Sequence, residues 1–102
     1  MPVDYRHLDP VLESRMRIGI LAMLLNGDTV DFVRMRERLQ ATDGNLAKHL
    51  RRLEAARYVR MRKSFIRRRP RTSYTITDKG RQALQDHVKA LGELVGRGRS
   101  SI

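Results

Sequence analysis

Hydrophobic positions along the chain form helical runs interrupted by one alternating stretch. Asp9-Pro10 marks the first helix start, because the carboxylate caps free N–H groups and a proline in the first turn gives up no needed donor. This helix is expected to reach about Leu25, with a break allowed at Ser14. Its second half, Ile18 to Leu25, is apolar all round, as in a helix covered on several sides, and Asn26-Gly27-Asp28 ends it. Thr29 and Val30 read as a short extended link. Asp31 then caps a second helix, Phe32 to about Gln40, with Phe32, Met35 and Leu39 on one face. After a turn at Ala41, Thr42 or Asp43 caps a third helix that runs to about Ala56, with Leu46, Leu50 and Leu53 at i, i+4 and i+7. Opposite that stripe lie Asn45, Lys48 and Arg52, flanked by His49 and Arg51.

From Tyr58 the period shortens to two: Val59, Met61 and Phe65 point one way, Arg60 and Arg62 the other. A second strand, Thr72 to Thr77, is rich in β-branched and aromatic residues. The pair reads as a β-hairpin with Arg67-Arg68-Arg69-Pro70-Arg71 as its tip, since proline suits a loop better than a ladder. Tyr58, Phe65 and Tyr74 read as core, as do Met16, Met23 and Met35. Thr77-Asp78 caps a last helix in which Leu84, Val88, Leu91 and Val95 repeat at spacings of four, three and four, a narrow seam suited to packing on another helix. Residues 8–95 are the expected ordered core of a single domain spanning 1–102, with 96–102 a flexible tail.

Composition narrows the function. A chain of 102 residues that is 40% hydrophobic supports one core. It contains no cysteine, which excludes disulfides, thiolate zinc sites and a cysteine nucleophile. The longest apolar run, Ile18 to Leu25, is too short to span a bilayer and follows acidic residues, so a cytoplasmic protein with no membrane contact is expected. The net charge of +11 is concentrated: residues 43–72 carry eleven basic side chains against two acidic ones, whereas residues 1–42 carry six of each. A positive field confined to one segment points to an anionic partner.

The order helix, helix, helix, hairpin, helix is that of an α+β, mostly helical winged helix-turn-helix. Thr42-Asp43-Gly44-Asn45-Leu46-Ala47-Lys48-His49-Leu50, Leu53-Glu54-Ala55-Ala56-Arg57-Tyr58-Val59, Arg68-Arg69-Pro70-Arg71-Thr72-Ser73-Tyr74 and Ile76-Thr77-Asp78-Lys79-Gly80-Arg81 together resemble the small transcriptional regulators related to MarR and ArsR. The likeness covers roughly residues 10–95 and implies a DNA-binding homodimer with its third helix in the major groove. Two features depart from the family: Ala47 stands where serine is common, and the cysteine metal ligands of the ArsR metal sensors are absent.

The residues support the same reading. A helix held on its inner side by three leucines must present Asn45, Lys48 and Arg52 outward, and the major groove admits one helix of that width. Asn45 suits adenine and Lys48 or Arg52 guanine, while His49, Arg51 and Thr42 suit phosphates. Lys63, Arg67, Arg68, Arg69 and Arg71 would place the wing on the minor groove and phosphates. Leu8, Val11, Leu12, Leu84, Val88, Leu91 and Val95 are the candidate dimer interface, because helix one is apolar on more faces than helices two and three cover. No cofactor is expected, His7, His49 and His87 are too scattered for a metal site, and no serine sits in a nucleophile elbow. A small-molecule effector in the dimer crevice is compatible with this plan. The competing classes are a winged-helix protein-interaction module, which seldom needs such clustered charge, and an RNA binder, which would need exposed aromatic rings.

Overall fold

Ser14 decides where the first long helix begins. In the computed structural model, which describes residues 4–100, its hydroxyl accepts a hydrogen bond from the Arg17 N–H at 3.2 Å and caps α1, Arg15–Leu24. The residues before it form a separate 3-10 turn, Pro10–Leu12, capped by Asp9. The break allowed at Ser14 is therefore real, and the run from Asp9 to Leu25 is two elements. Gly27, at φ 86°, turns the chain after α1. Val30–Asp31 is more than the expected link: it is β1, and it pairs antiparallel with Tyr74 and Ser73.

Two further caps set the helix-turn-helix. Asp31 accepts from the Arg34 N–H at 2.8 Å and opens α2, Phe32–Leu39. Of the two caps expected for α3, Asp43–Ala55, it is Thr42 that serves, accepting from the Asn45 N–H at 3.2 Å. Asp43 is left to pair with Arg36 of α2 at 2.7 Å. Arg57, at φ 64°, ends α3, and the Tyr58 N–H returns to the Leu53 carbonyl at 2.9 Å.

The hairpin differs from expectation at its tip. β2 spans Val59–Ile66 and β3 spans Arg69–Ile76, so the turn is only Arg67-Arg68 and Pro70 lies in the ladder opposite Phe65. The pair Ile66 and Arg69 closes a two-residue turn, so the next pair, Phe65 and Pro70, is of the type that exchanges no backbone hydrogen bonds. The donor that proline lacks faces away from β2, toward a side where β1 does not extend, because β1 reaches only Ser73 and Tyr74. Proline is tolerated at such an edge. Sheet order is β1-β3-β2.

Helix α4, Asp78–Ser100, starts under Thr77, whose hydroxyl accepts from the Gly80 N–H at 2.9 Å and donates to the Arg57 carbonyl at 2.7 Å. It continues through residues expected to be a tail from 96 onward; 101 and 102 lie outside the described residues. Leu12 of the 3-10 turn, Ile20, Leu21 and Leu24 of α1 and Val30 of β1 are buried together with Met35, Leu46, Leu50, Leu53, Val59, Tyr74 and Leu84, so every element contributes to one core. Each fully buried leucine contributes about 2 kcal/mol of apolar transfer.

Two interface candidates are used up in that core: Leu12 is 1% exposed and Leu84 7%. α1 is covered by the sheet and α4 as well as by α2 and α3, which removes the spare apolar face assigned to it. Leu8 and Val11 are half-buried. Bare apolar surface remains further along α4, where Val88 is 63% and Val95 56% exposed, with Leu91 also exposed. The molecule measures 61 × 25 × 21 Å, with a radius of gyration of 16.0 Å against about 13 Å for a compact chain of this length.

Candidate nucleic-acid interface

Leu46, Leu50 and Leu53 hold one side of α3 against the core and so fix what its other side presents. Asn45, Lys48, Arg51 and Arg52 are all exposed there. Thr42 is exposed at the helix start, with its hydroxyl engaged as the cap. Asp43, the acid of the first turn, is neutralised by Arg36, so the end of α3 that faces outward carries no free negative charge. That pair is largely exposed and adds little stability; its consequence is for the surface potential.

His49 stands apart from the other α3 candidates. It is half-buried, and its Nδ1 lies 3.0 Å from Arg17 Nη1, while the Arg17 Nε–H donates to the Val11 carbonyl. Burial first, and then the positive charges of Arg17 and Lys48, lower its pKa, so the ring is neutral at pH 7. With Arg17 on Nδ1, the hydrogen of this neutral ring sits on Nε2. Arg15 was not among the sequence candidates; with Asn45 and His49 it borders a shallow depression of about 490 Å³. Its position at the first turn of α1 gave no periodic signal that tied it to α3.

Lys63, Arg67, Arg68, Arg69 and Arg71 are exposed along the hairpin, as are Arg60 and Arg62. Arg71 lies 3.5 Å from Asp31, and the other four candidate cations have no ion-pair partner among the described residues. Only the base of the hairpin reaches the core. Val59 and Tyr74 are buried, but Phe65, read as core from the alternation, is 76% exposed because β2 and β3 extend beyond the body of the protein. Tyr58 is buried beneath the start of α4; burial and its hydrogen bond to Asp9 push its hydroxyl up to about 12.

Elsewhere the described residues offer little chemistry. No group of three histidine or acidic side chains is placed to hold a metal, and no helix is long and apolar enough to cross a membrane.

Comparison with known proteins gives this surface a context. The chain is 37% identical over 84 residues to an uncharacterized protein of Methanocaldococcus jannaschii, MJ0432, an alignment that covers 82% of this chain and 91% of that one. Its fold is similar to that of a transcriptional regulator homologue from Pyrococcus horikoshii, with a TM-score of 0.72, 30% identity, and 89% and 95% of the two chains covered. It is also similar to the transcriptional regulator BldR from Sulfolobus solfataricus, with a TM-score of 0.67 and 27% identity over 87% of this chain and 63% of that one. A zinc-responsive MarR family member from Lactococcus lactis, ZitR, shares the fold at 15% identity, with a TM-score of 0.64 and 90% and 62% coverage. The family model described as a winged helix DNA-binding domain matches residues 16–95, from α1 through most of α4, and the chain belongs to that family.

Proposed function

We propose that this protein is a homodimeric transcriptional regulator of the cytoplasm that binds double-stranded DNA by sequence, with α3 in the major groove and the wing on the minor groove and phosphates. The observation that carries this reading is the set of exposed cations on α3, Lys48, Arg51 and Arg52, together with those on the wing, Arg67, Arg68 and Arg69, while Asp43 and Asp31 are paired with Arg36 and Arg71. Asn45, Lys48 and Arg52 are the base readers; Arg51, Thr42, Lys63 and the Nε2–H of His49 meet phosphates. The regulator homologues similar to this chain support the same class. Selection of bound duplexes from a random library, followed by competition with single strands and duplex RNA, tests it. Equal binding to all three would overturn it.

Within that reading, Arg52→Ala is expected to cost about 1 to 3 kcal/mol of binding and to relax preference at one position of each half-site. Equal weakening on every sequence would reassign Arg52 to a phosphate.

The dimer contact proposed is the outer half of α4. Val88, Leu91 and Val95 form a seam at spacings of three and four that stays largely exposed among the described residues. Two such helices packed together would set the recognition helices about one helical turn, ~34 Å, apart or a multiple of it. Leu91→Lys is expected to convert the dimer to a monomer in sedimentation while α3 and the wing stay folded. A wild-type chain that sediments as a monomer at micromolar concentration and occupies single half-sites would sink the dimer.

A further inference from the structure

The wing carries apolar surface where a hairpin in water has no use for it. Phe65 is 76% exposed and Ile66 46%. Residues paired across a ladder share a face and neighbours alternate, so Phe65 lies with Pro70 on one face of the hairpin and Ile66 with Arg69 on the other. All four stand directly behind the two-residue tip, Arg67-Arg68.

Charge decides what can cover these side chains. Arg67, Arg68 and Arg69 surround them without ion-pair partners among the described residues, and the wing's ion pair, Arg71 to Asp31 at 3.5 Å, lies further back along β3. An ordinary apolar protein surface would have to desolvate those arginines without compensation. A partner that alternates anionic rims with apolar carbon does not impose that cost. The minor groove of duplex DNA is such a surface: phosphates line its rims and deoxyribose forms its walls. It is about 6 Å wide, which admits the tip of a hairpin and leaves the residues just behind it against the two walls.

We propose that Phe65 with Pro70, and Ile66 on the opposite face, grip the deoxyribose walls of the minor groove on either side of the inserted Arg67-Arg68 tip. This inference rests on the proposed contact between wing and DNA and goes beyond it by assigning part of the affinity to carbon instead of charge. Phe65 and Ile66 stand behind the tip and do not lead it, so they pack on the walls without separating base pairs. The same grip disfavours duplex RNA, whose minor groove is wide, shallow and lined with 2′-hydroxyls.

The test uses the full chain and a duplex of about three helical turns with A·T-rich minor-groove segments. Binding is titrated over a range of salt for wild type, Phe65→Ala, and the double variant Arg67→Gln with Arg68→Gln. Phe65→Ala is expected to weaken binding about tenfold for each wing, with the slope of log K against log salt unchanged. The exposed side chain leaves no cavity, so its thermal midpoint should equal that of the wild type. The double variant should flatten the slope. If it does and Phe65→Ala binds like wild type, the wall contact is wrong while the wing stays on DNA. If the double variant keeps the wild-type slope, the wing does not meet DNA and both readings fall. If Phe65→Ala changes the sedimentation coefficient instead of the affinity, Phe65 contacts protein and the proposal is overturned.

Discussion

Replacing Arg67, Arg68, Arg69 and Arg71 together by glutamine is expected to flatten the dependence of log K on log salt by about 2.7 units for each wing. Three of the four are counted as phosphate contacts because Arg71 already leans on Asp31 at 3.5 Å. For a dimer with two wings, the affinity lost between about 50 and 200 mM salt would shrink by roughly three orders of magnitude. Folding should be untouched. All four side chains are exposed, and glutamine keeps the same backbone demands at the turn. Binding isotherms at several salt concentrations, with a thermal melt of the same sample, check this. An unchanged slope in a folded variant would mean that the wing does not touch DNA.

The largest effect on stability is expected at Gly80. A Cβ added there would lie 2.1 Å from the Tyr58 carbonyl oxygen and 2.9 Å from the Tyr58 carbonyl carbon and Cα. These are backbone atoms, and the same carbonyl accepts the Thr77 N–H at 3.0 Å, so α4 cannot keep its cap and make room. Gly80→Ala should therefore destabilise the fold by about 3 kcal/mol or more, lowering the midpoint of thermal unfolding by roughly 15 °C. Gly44→Ala is the control: nothing lies within 4 Å of its added Cβ, and a helical alanine should gain up to about 1 kcal/mol. Equal midpoints for Gly80→Ala and wild type would mean that α4 does not start against Tyr58.

The helices and their outward faces were legible because each carries its own punctuation. Thr42-Asp43 before the spacing of Leu46, Leu50 and Leu53 marks the start of α3 to within one residue and which side it buries, and the structure makes Thr42 the cap. Alternation in the hairpin was equally clear, but alternation says which side of a strand faces inward and not how far the sheet outruns the core. Phe65 was misread for that reason. The spacing of Leu84, Val88, Leu91 and Val95 likewise marks one stripe without saying where a chain's own core stops covering it; the structure puts that limit just after Leu84. Two-residue β1 is too short to have a period. The turn was hidden because its positions are normally announced by asparagine and glycine, and here they hold arginine. Arg17 reaching His49 joins residues 32 apart in sequence, and no local pattern reports such a contact.

That turn has a wider consequence. Arg67 and Arg68 sit at φ 53° and 67°, a left-handed conformation that costs an ordinary L-residue roughly 1 to 2 kcal/mol and glycine almost nothing. Asparagine followed by glycine would make the same reversal with less strain, yet would remove two cations from the apex. Durability and reach thus compete for the same two positions. Mutational drift toward a sturdier hairpin would blunt the wing, and selection for the wing's charge would hold the domain below the stability its backbone could attain. Between related proteins, the identity of these two residues is then a readable trace of which demand prevailed.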